Sequence, residues 1–171
     1  MTEERDLIKL ARRAIERFVC EGIILSPPKV LSDEMKPRAG TFVSLHCSGE
    51  LRGCIGTIEP SCANIAAEVI ANAISAATRD PRFPPLCPDE LADLDISVDV
   101  LTEPEPISSL EELDPKRYGV IVRSGTRRGL LLPDLQGIET AQQQVEIALR
   151  KAWIAPDEPY RMYRFEVIRH C

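Results

Sequence analysis

Leu51-Arg52-Gly53-Cys54-Ile55-Gly56-Thr57 puts an arginine, a thiol and two glycines into a short run that also reads as a β-strand. Glycine weakens a strand and leaves no side chain to fill space, so two of them mark a bulge or a close approach of backbone, ligand or another chain. Period-two alternation places Arg52, Cys54, Gly56 and Ile58 on one face, with Leu51, Gly53, Ile55 and Thr57 on the other.

Working outward, residues 41 to 47 read as a second strand, and Ser48-Gly49 between the two suggests a hairpin with a two-residue loop. That loop sets Cys54 opposite Val43, on a face shared with Val43 and Leu45. His46 then falls on the face opposite Cys54, which disfavours a Cys-His pair. On the other side, residues 62 to 78 carry the strongest helical signal, rich in alanine and isoleucine, with Asn64, Glu68, Asn72 and Ser75 on one polar stripe. The stripe faces either solvent or a cleft.

Asp80-Pro81-Arg82-Phe83-Pro84-Pro85-Leu86 cannot continue that helix, because each proline removes an amide donor and pushes the preceding residue toward extended geometry. Phe83 and Leu86 are expected to anchor this stiff loop in the core. Pro88 to Leu91 suits one helical turn, and Leu94, Ile96, Val98 and Val100 alternate with Asp95, Ser97 and Asp99 as a half-buried strand.

Toward the N-terminus, Thr2 reads as the cap of a first helix, followed by Glu3 and Glu4, with Leu7, Leu10, Ala11, Ala14, Ile15 and Phe18 at helical spacing and Gly22 as terminator. Toward the C-terminus, Thr102 to Ile107 reads as an extended link and Ser109 to Leu113 as a short capped helix. Tyr118 to Val122 and Gly129 to Leu132 read as strands joined by a loop carrying Arg123, Arg127 and Arg128. Thr140 with Gln143 forms a capping box before a third helix. Tyr160 to Ile168 reads as one final strand, which leaves His170 and Cys171 as tail residues.

A chain of 171 residues suits a single domain with an ordinary core. A net charge of −6 argues against a nucleic-acid partner. The six cysteines contain no Cys-x-x-Cys pair and only two histidines accompany them, so the spacing of structural zinc sites is absent. No metal or cofactor is called for. A charged N-terminus and the lack of a long apolar run lead to the expectation of a cytoplasmic protein with reduced thiols and no membrane partner.

Four segments together resemble one family: Leu-Arg-Gly-Cys-Ile-Gly-Thr at 51 to 57, Asp-Pro-Arg-Phe-Pro-Pro-Leu at 80 to 86, Leu-Thr-Glu-Pro-Glu-Pro-Ile at 101 to 107 and Leu-Leu-Leu-Pro at 130 to 133. It is the AMMECR-one domain family, and the resemblance covers essentially the whole chain. It implies an α+β fold, antiparallel sheet packed with helices, in two closely associated lobes with a cleft between them. Prokaryotic members resemble component A of the AmmeMemoRadiSam system, which implies association with a Memo-like protein and a radical S-adenosylmethionine enzyme. The resemblance transfers no catalytic residue, so the roles that follow come from residue chemistry.

Cys54 is the candidate nucleophile, since a thiolate beside a cation is the reactive form of cysteine; the competing reading is a small buried core residue. Arg52 and Arg82 offer planar forks to a carboxylate or phosphate, against ion pairing with Asp80 or another surface acid. Asp80 suits a base or an orienter of Arg82, against a turn-shaping role before proline. Thr57 completes the lining, and the helix start near Ser61 and Cys62 offers unpaired amides. Arg123, Arg127 and Arg128 suit a solvated hairpin tip, with anion or partner docking as the alternative. Two functions follow: an enzyme or enzyme component binding a small anionic ligand in a cleft lined by Arg52, Cys54, Thr57, Asp80 and Arg82, or a non-catalytic adaptor for a protein partner.

Overall fold

The spacing of Leu7, Leu10, Ala11, Ala14 and Ile15 becomes the buried face of helix α1 (Glu4–Glu21) in the computed structural model, which describes residues 4–171. Gly22 ends it as expected, at φ +69 with its N–H donated to Phe18 O at 2.9 Å, a left-handed cap that residues with a β-carbon adopt only under strain. The cap expected at Thr2 lies outside the described residues.

Strands β1 (Thr41–Cys47) and β2 (Glu50–Gly56) form the expected hairpin. Ser48 and Gly49 both take positive φ, 52 and 80, as a tight two-residue turn requires. The register departs from expectation. Cys47 faces Glu50 and His46 faces Leu51, but Leu45 faces Gly53, so Arg52 is an extra residue in a β-bulge. From there on every partner moves by one, and Cys54 sits opposite Ser44 rather than Val43.

Two consequences correct the reading of the faces. Gly53, opposite Leu45, takes the core-facing side shared with Val43 and Leu45 that the sequence reading assigned to Cys54. Because β1 alternates regularly against its other neighbour, Ser44 and His46 share a face, and His46 lies on the same side as Cys54.

Helix α2 (Ile65–Thr78) starts three residues later than its periodicity indicates, with Asn64 as N-cap accepting from Ala67 N at 2.9 Å. It lies on β1 and β2, beside α1, and Val43, Leu45, Val69, Ala73 and Val98 are fully buried among them. Each large aliphatic side chain so buried contributes about 1.5–3 kcal/mol. A 3-10 turn at Pro88–Asp93 leads into β3 (Leu94–Leu101), which pairs antiparallel with β1.

The second sheet has the order β4-β7-β5-β6, from β4 (Glu105–Ile107), β5 (Gly119–Ser124), β6 (Arg127–Leu131) and β7 (Arg161–Phe165). β4 pairs antiparallel with β7, and β5 antiparallel with both β6 and β7. Helix α3 (Ala141–Lys151) begins with the expected Thr140 and Gln143 capping box and covers one face, where Val120, Val122, Leu131, Val145 and Ala148 form a core. The loop between β5 and β6 is only Gly125-Thr126, so Arg123, Arg127 and Arg128 belong to strands rather than to a loop.

The final strand also differs from its sequence reading. It breaks at Glu166, whose N–H donates to Thr102 Oγ1 at 2.8 Å and whose carbonyl accepts from Thr102 N at 2.9 Å. The remainder, β8 (Val167–His170), joins the first sheet in the order β2-β1-β3-β8. His170 is therefore buried in a strand, not frayed in a tail. The chain thus forms two units, one of residues up to Val100 together with Ile168–Cys171, the other of Leu101–Val167. The architecture is α+β with antiparallel sheets.

Candidate functional site

Asp80 organises the first unit's candidate residues. The proline after it ends α2's path, and its carboxylate turns inward to 4% exposure. Oδ2 accepts the Cys54 backbone N–H at 3.0 Å and Arg82 Nη2 at 2.8 Å, while Oδ1 accepts Arg82 Nε at 3.0 Å and the Arg82 N–H at 3.1 Å. The Arg82 fork above all, helped by the Cys54 and Arg82 amides, outweighs burial and holds this carboxyl far below the usual carboxylate range. In return Arg82 is raised above its ordinary value, chiefly by its hydrogen bond to Asp80. Both turn-shaping and orientation of Arg82 are thus realised in one side chain.

Cys54 is half-buried and lies outside the hydrophobic core. Its Sγ is 3.2 Å from Ser44 Oγ across the hairpin, within hydrogen-bond reach. Ser44 could not be found from the sequence, because the glycines that signal a bulge or a close approach do not say which residue is bulged, and the pairing with Cys54 turns on that. His46 shares the face, but the thiol's hydrogen-bond contact is with Ser44.

Arg52, the bulged residue, makes a different contact from its neighbour arginine. Its Nε and Nη2 donate to Glu90 at 2.8 and 3.2 Å, and Nη1 donates to the Pro84 carbonyl at 2.9 Å. Glu90 also accepts the Cys87 N–H at 2.8 Å, and these contacts, Arg52 first, hold its carboxyl below the usual range. Arg52 thereby ties the strand to the proline-rich loop. Phe83 sits between the two arginines, 6.0 Å from the Arg52 guanidinium and 5.4 Å from that of Arg82, half-buried rather than in the core. Leu86 is the residue that anchors the loop, 6% exposed.

Thr57 belongs to a second network. Its Oγ1 donates to Glu68 Oε1 at 2.7 Å and accepts from Asn72 Nδ2 at 3.2 Å, which also donates to Thr41 O and Oγ1. Glu68 and Asn72 are 1% and 4% exposed, so the polar stripe of α2 is buried at these two positions. The amides of Ser61 and Cys62 donate to Glu68, at 3.0 and 2.7 Å, so the chain's own carboxylate occupies the amides that the sequence offered to an anion. Burial alone would raise the Glu68 carboxyl, but the bonds from Thr57, Cys62 and Ser61 hold it below its usual value.

The structure thus brings Cys54, Asp80 and Arg82 together, and places Arg52 and Thr57 in separate hydrogen-bonded clusters at either end of the motif. Among the described residues no three of His, Cys, Asp or Glu gather as a metal site, and no helix is long and apolar enough to cross a membrane.

These features define an antiparallel α+β protein whose cysteine-bearing glycine motif is clamped by a buried aspartate. A family model described as AMMECR1 matches residues 8–170, and the chain belongs to that family. A protein of Thermotoga maritima is 50% identical over 173 residues, 99% of either chain. A Clostridium acetobutylicum protein is also 50% identical, over 98% of this chain but only 36% of its own length, so the chain spans about a third of that relative. The crystal structure of an uncharacterised protein from Pyrococcus horikoshii matches with TM-score 0.87 at 34% identity, over 95% of this chain and 88% of that one.

Proposed function

We propose that the chain is an enzyme, or a component of one, that binds a small anionic ligand at Arg82 beside Cys54, with the Cys54 thiol as nucleophile. One observation carries this reading: a single buried carboxylate, Asp80, holds both the Cys54 backbone and the Arg82 guanidinium. The fork to Asp80 uses Nε and Nη2, and the Arg82 side chain remains 55% exposed, so Nη1 is the donor offered to an incoming oxyanion. Arg52 and Thr57 take positioning roles in this reading, because their donors hold the motif's two ends.

Brief iodoacetamide treatment followed by mass spectrometry tests it. Cys20, Cys87 and Cys171 are exposed and alkylate by access alone. Cys54 should alkylate in the native protein despite being half-buried, and Arg82→Gln should slow it several-fold, because the cation that attracts the thiolate is gone. Arg82→Lys should restore most of the rate, and Arg127→Gln should leave it unchanged. Failure of Cys54 to react while Cys87 or Cys171 does would end the nucleophile reading.

A second reading, an adaptor for a Memo-like or radical S-adenosylmethionine partner, is supported by Trp153, 86% exposed at φ 57, and by the much longer Clostridium relative. In that case Trp153→Ala would abolish co-purification with such a partner and leave Cys54 labelling untouched.

A further inference from the structure

The bulge at Arg52 gives Cys54 a hydroxyl for a neighbour. On the side of the hairpin away from α2, three cross-strand pairs follow one another: His46 with Leu51, Ser44 with Cys54, and Phe42 with Gly56. The Phe42 ring lies directly over the bare Cα of Gly56, so an aromatic wall stands beside the middle pair. That pair is a thiol and a hydroxyl 3.2 Å apart, and Ser44 Oγ has no other partner among the described residues.

Most donors near the thiol are already committed. The Cys54 amide serves Asp80, the Ser61 and Cys62 amides serve Glu68, and Arg52 donates from all three of its nitrogens to Glu90 and Pro84. Those left beside Cys54 are Arg82 Nη1 and the Ser44 hydroxyl; Ser97 and His46 lie one strand and one pair further off. Arg82 is raised above its ordinary value first by its bond to Asp80 and last by the Cys54 charge, so guanidinium and thiol are close neighbours.

This donor set discriminates between anions. A phosphoryl group presents three oxygens and is held by a cradle of amides, and the amides here are occupied. A carboxylate is satisfied by the open end of one guanidinium, and a carbonyl oxygen by one hydroxyl.

We infer that the ligand of this site is a short oxo acid, a carboxylate with an aldehyde or ketone carbon beside it, and that Ser44 donates to the carbonyl oxygen while Cys54 attacks the carbon. The inference rests on the reading of Cys54 as nucleophile. The S–C bond forms as the C=O π bond opens. Ser44 Oγ takes the thiol proton and passes its own to the former carbonyl oxygen. The product is a hemithioacetal or its ketone equivalent, formed reversibly and without oxidant or reductant. Asp80 Oδ2 accepts from both the Cys54 amide and Arg82 Nη2, which keeps the attacking sulfur and the acid-binding end at a fixed, short separation.

Protection of the intact chain against iodoacetamide tests this, with Cys54, Cys87 and Cys171 read separately by mass spectrometry. Three protectants are compared: glyoxylate, propionaldehyde, which lacks the acid, and acetate, which lacks the carbonyl. Glyoxylate should protect Cys54 at a concentration about tenfold below that needed for the exposed Cys87 and Cys171, the gain expected from one charge-assisted fork. Propionaldehyde should show no such preference, and acetate should protect none of the three. Arg82→Gln should abolish the preference. Ser44→Ala should weaken glyoxylate protection several-fold, and Ser44→Thr, which keeps the hydroxyl, should retain it. The inference is overturned if acetate protects Cys54 as well as glyoxylate does, if propionaldehyde shows the same preference, or if Cys54 is protected equally in Ser44→Ala and wild type. A Cys54 that iodoacetamide never labels would instead end the nucleophile reading, and this inference with it.

Discussion

Asp80 shows how one side chain can serve fold and site together. With four donors on two oxygens it is a well-satisfied buried carboxylate, and its partner Arg82 stays half in water. Because its folded-state pKa lies below the unfolded value of about 3.9, the stability it contributes is present above about pH 4 and is lost as the pH falls toward the folded value. Asp80→Asn should therefore cost ~1–3 kcal/mol at pH 7, since an amide nitrogen must now face a donor. Urea unfolding at pH 7 and again at pH 3 checks this: the gap between wild type and variant should narrow at the lower pH. A gap that stays constant would mean the charge on Asp80 is not what the structure uses. The Asp80 to Arg82 contact, two residues long, was legible in the sequence. The bond to Cys54 was not, because nothing local reports a partner 26 positions away.

The two sheets share an arrangement at the level of elements. In each, a strand glycine lies beneath a helix carbonyl: a β-carbon on Gly53 would come within 3.0 Å of Ala76 O, and one on Gly129 within 3.0 Å of Ala148 O. Since the obstacle is backbone, the helix must move to admit any side chain. Gly53→Ala and Gly129→Ala should each destabilise by ~1–3 kcal/mol, and Gly53→Val by more. Thr126→Val, on the exposed hairpin turn, should melt within a degree or two of wild type. Equal melting temperatures for Gly53→Val and Thr126→Val would remove the reason for treating the motif as a close approach. The hairpin, α2, β3 and the capping box of α3 were legible because each rests on local periodicity or turn chemistry. A bulge was one of the two readings the strand glycines allowed, but its place at Arg52 was not legible, since the glycines do not say which residue goes unpaired. Likewise Glu68 and Asn72 read as a polar stripe, and only tertiary partners such as Thr57 and Thr41 reveal that the stripe is buried.

At the scale of the whole molecule, the first sheet is completed by residues that come after the entire second unit. Strand β8 brings Arg169 Nε and Nη2 to Asp99 Oδ1 and Oδ2 at 2.8 and 2.9 Å, and Asp99 is only 3% exposed. Arg169→Met should cost ~1–3 kcal/mol, the penalty of a buried carboxylate stripped of its fork, lessened because Arg169 is itself half-exposed. Combined with Asp99→Asn, the two losses should sum to less than their separate costs; strict additivity in a double-mutant cycle would sink the idea that they act as a pair. The sequence concealed this return, because Tyr160 to Ile168 alternates as one strand and the break at Glu166 depends on Thr102. During translation the ribosome must add everything from Leu101 to Val167 before β8 emerges, a delay on the order of several seconds at roughly 5–20 residues per second. Throughout it, β3 is a nascent sheet's open edge, a template for pairing with other chains. Asp95 and Asp99 alternate along that edge, and their charges discourage a stray strand from docking until the chain's own C-terminal strand arrives.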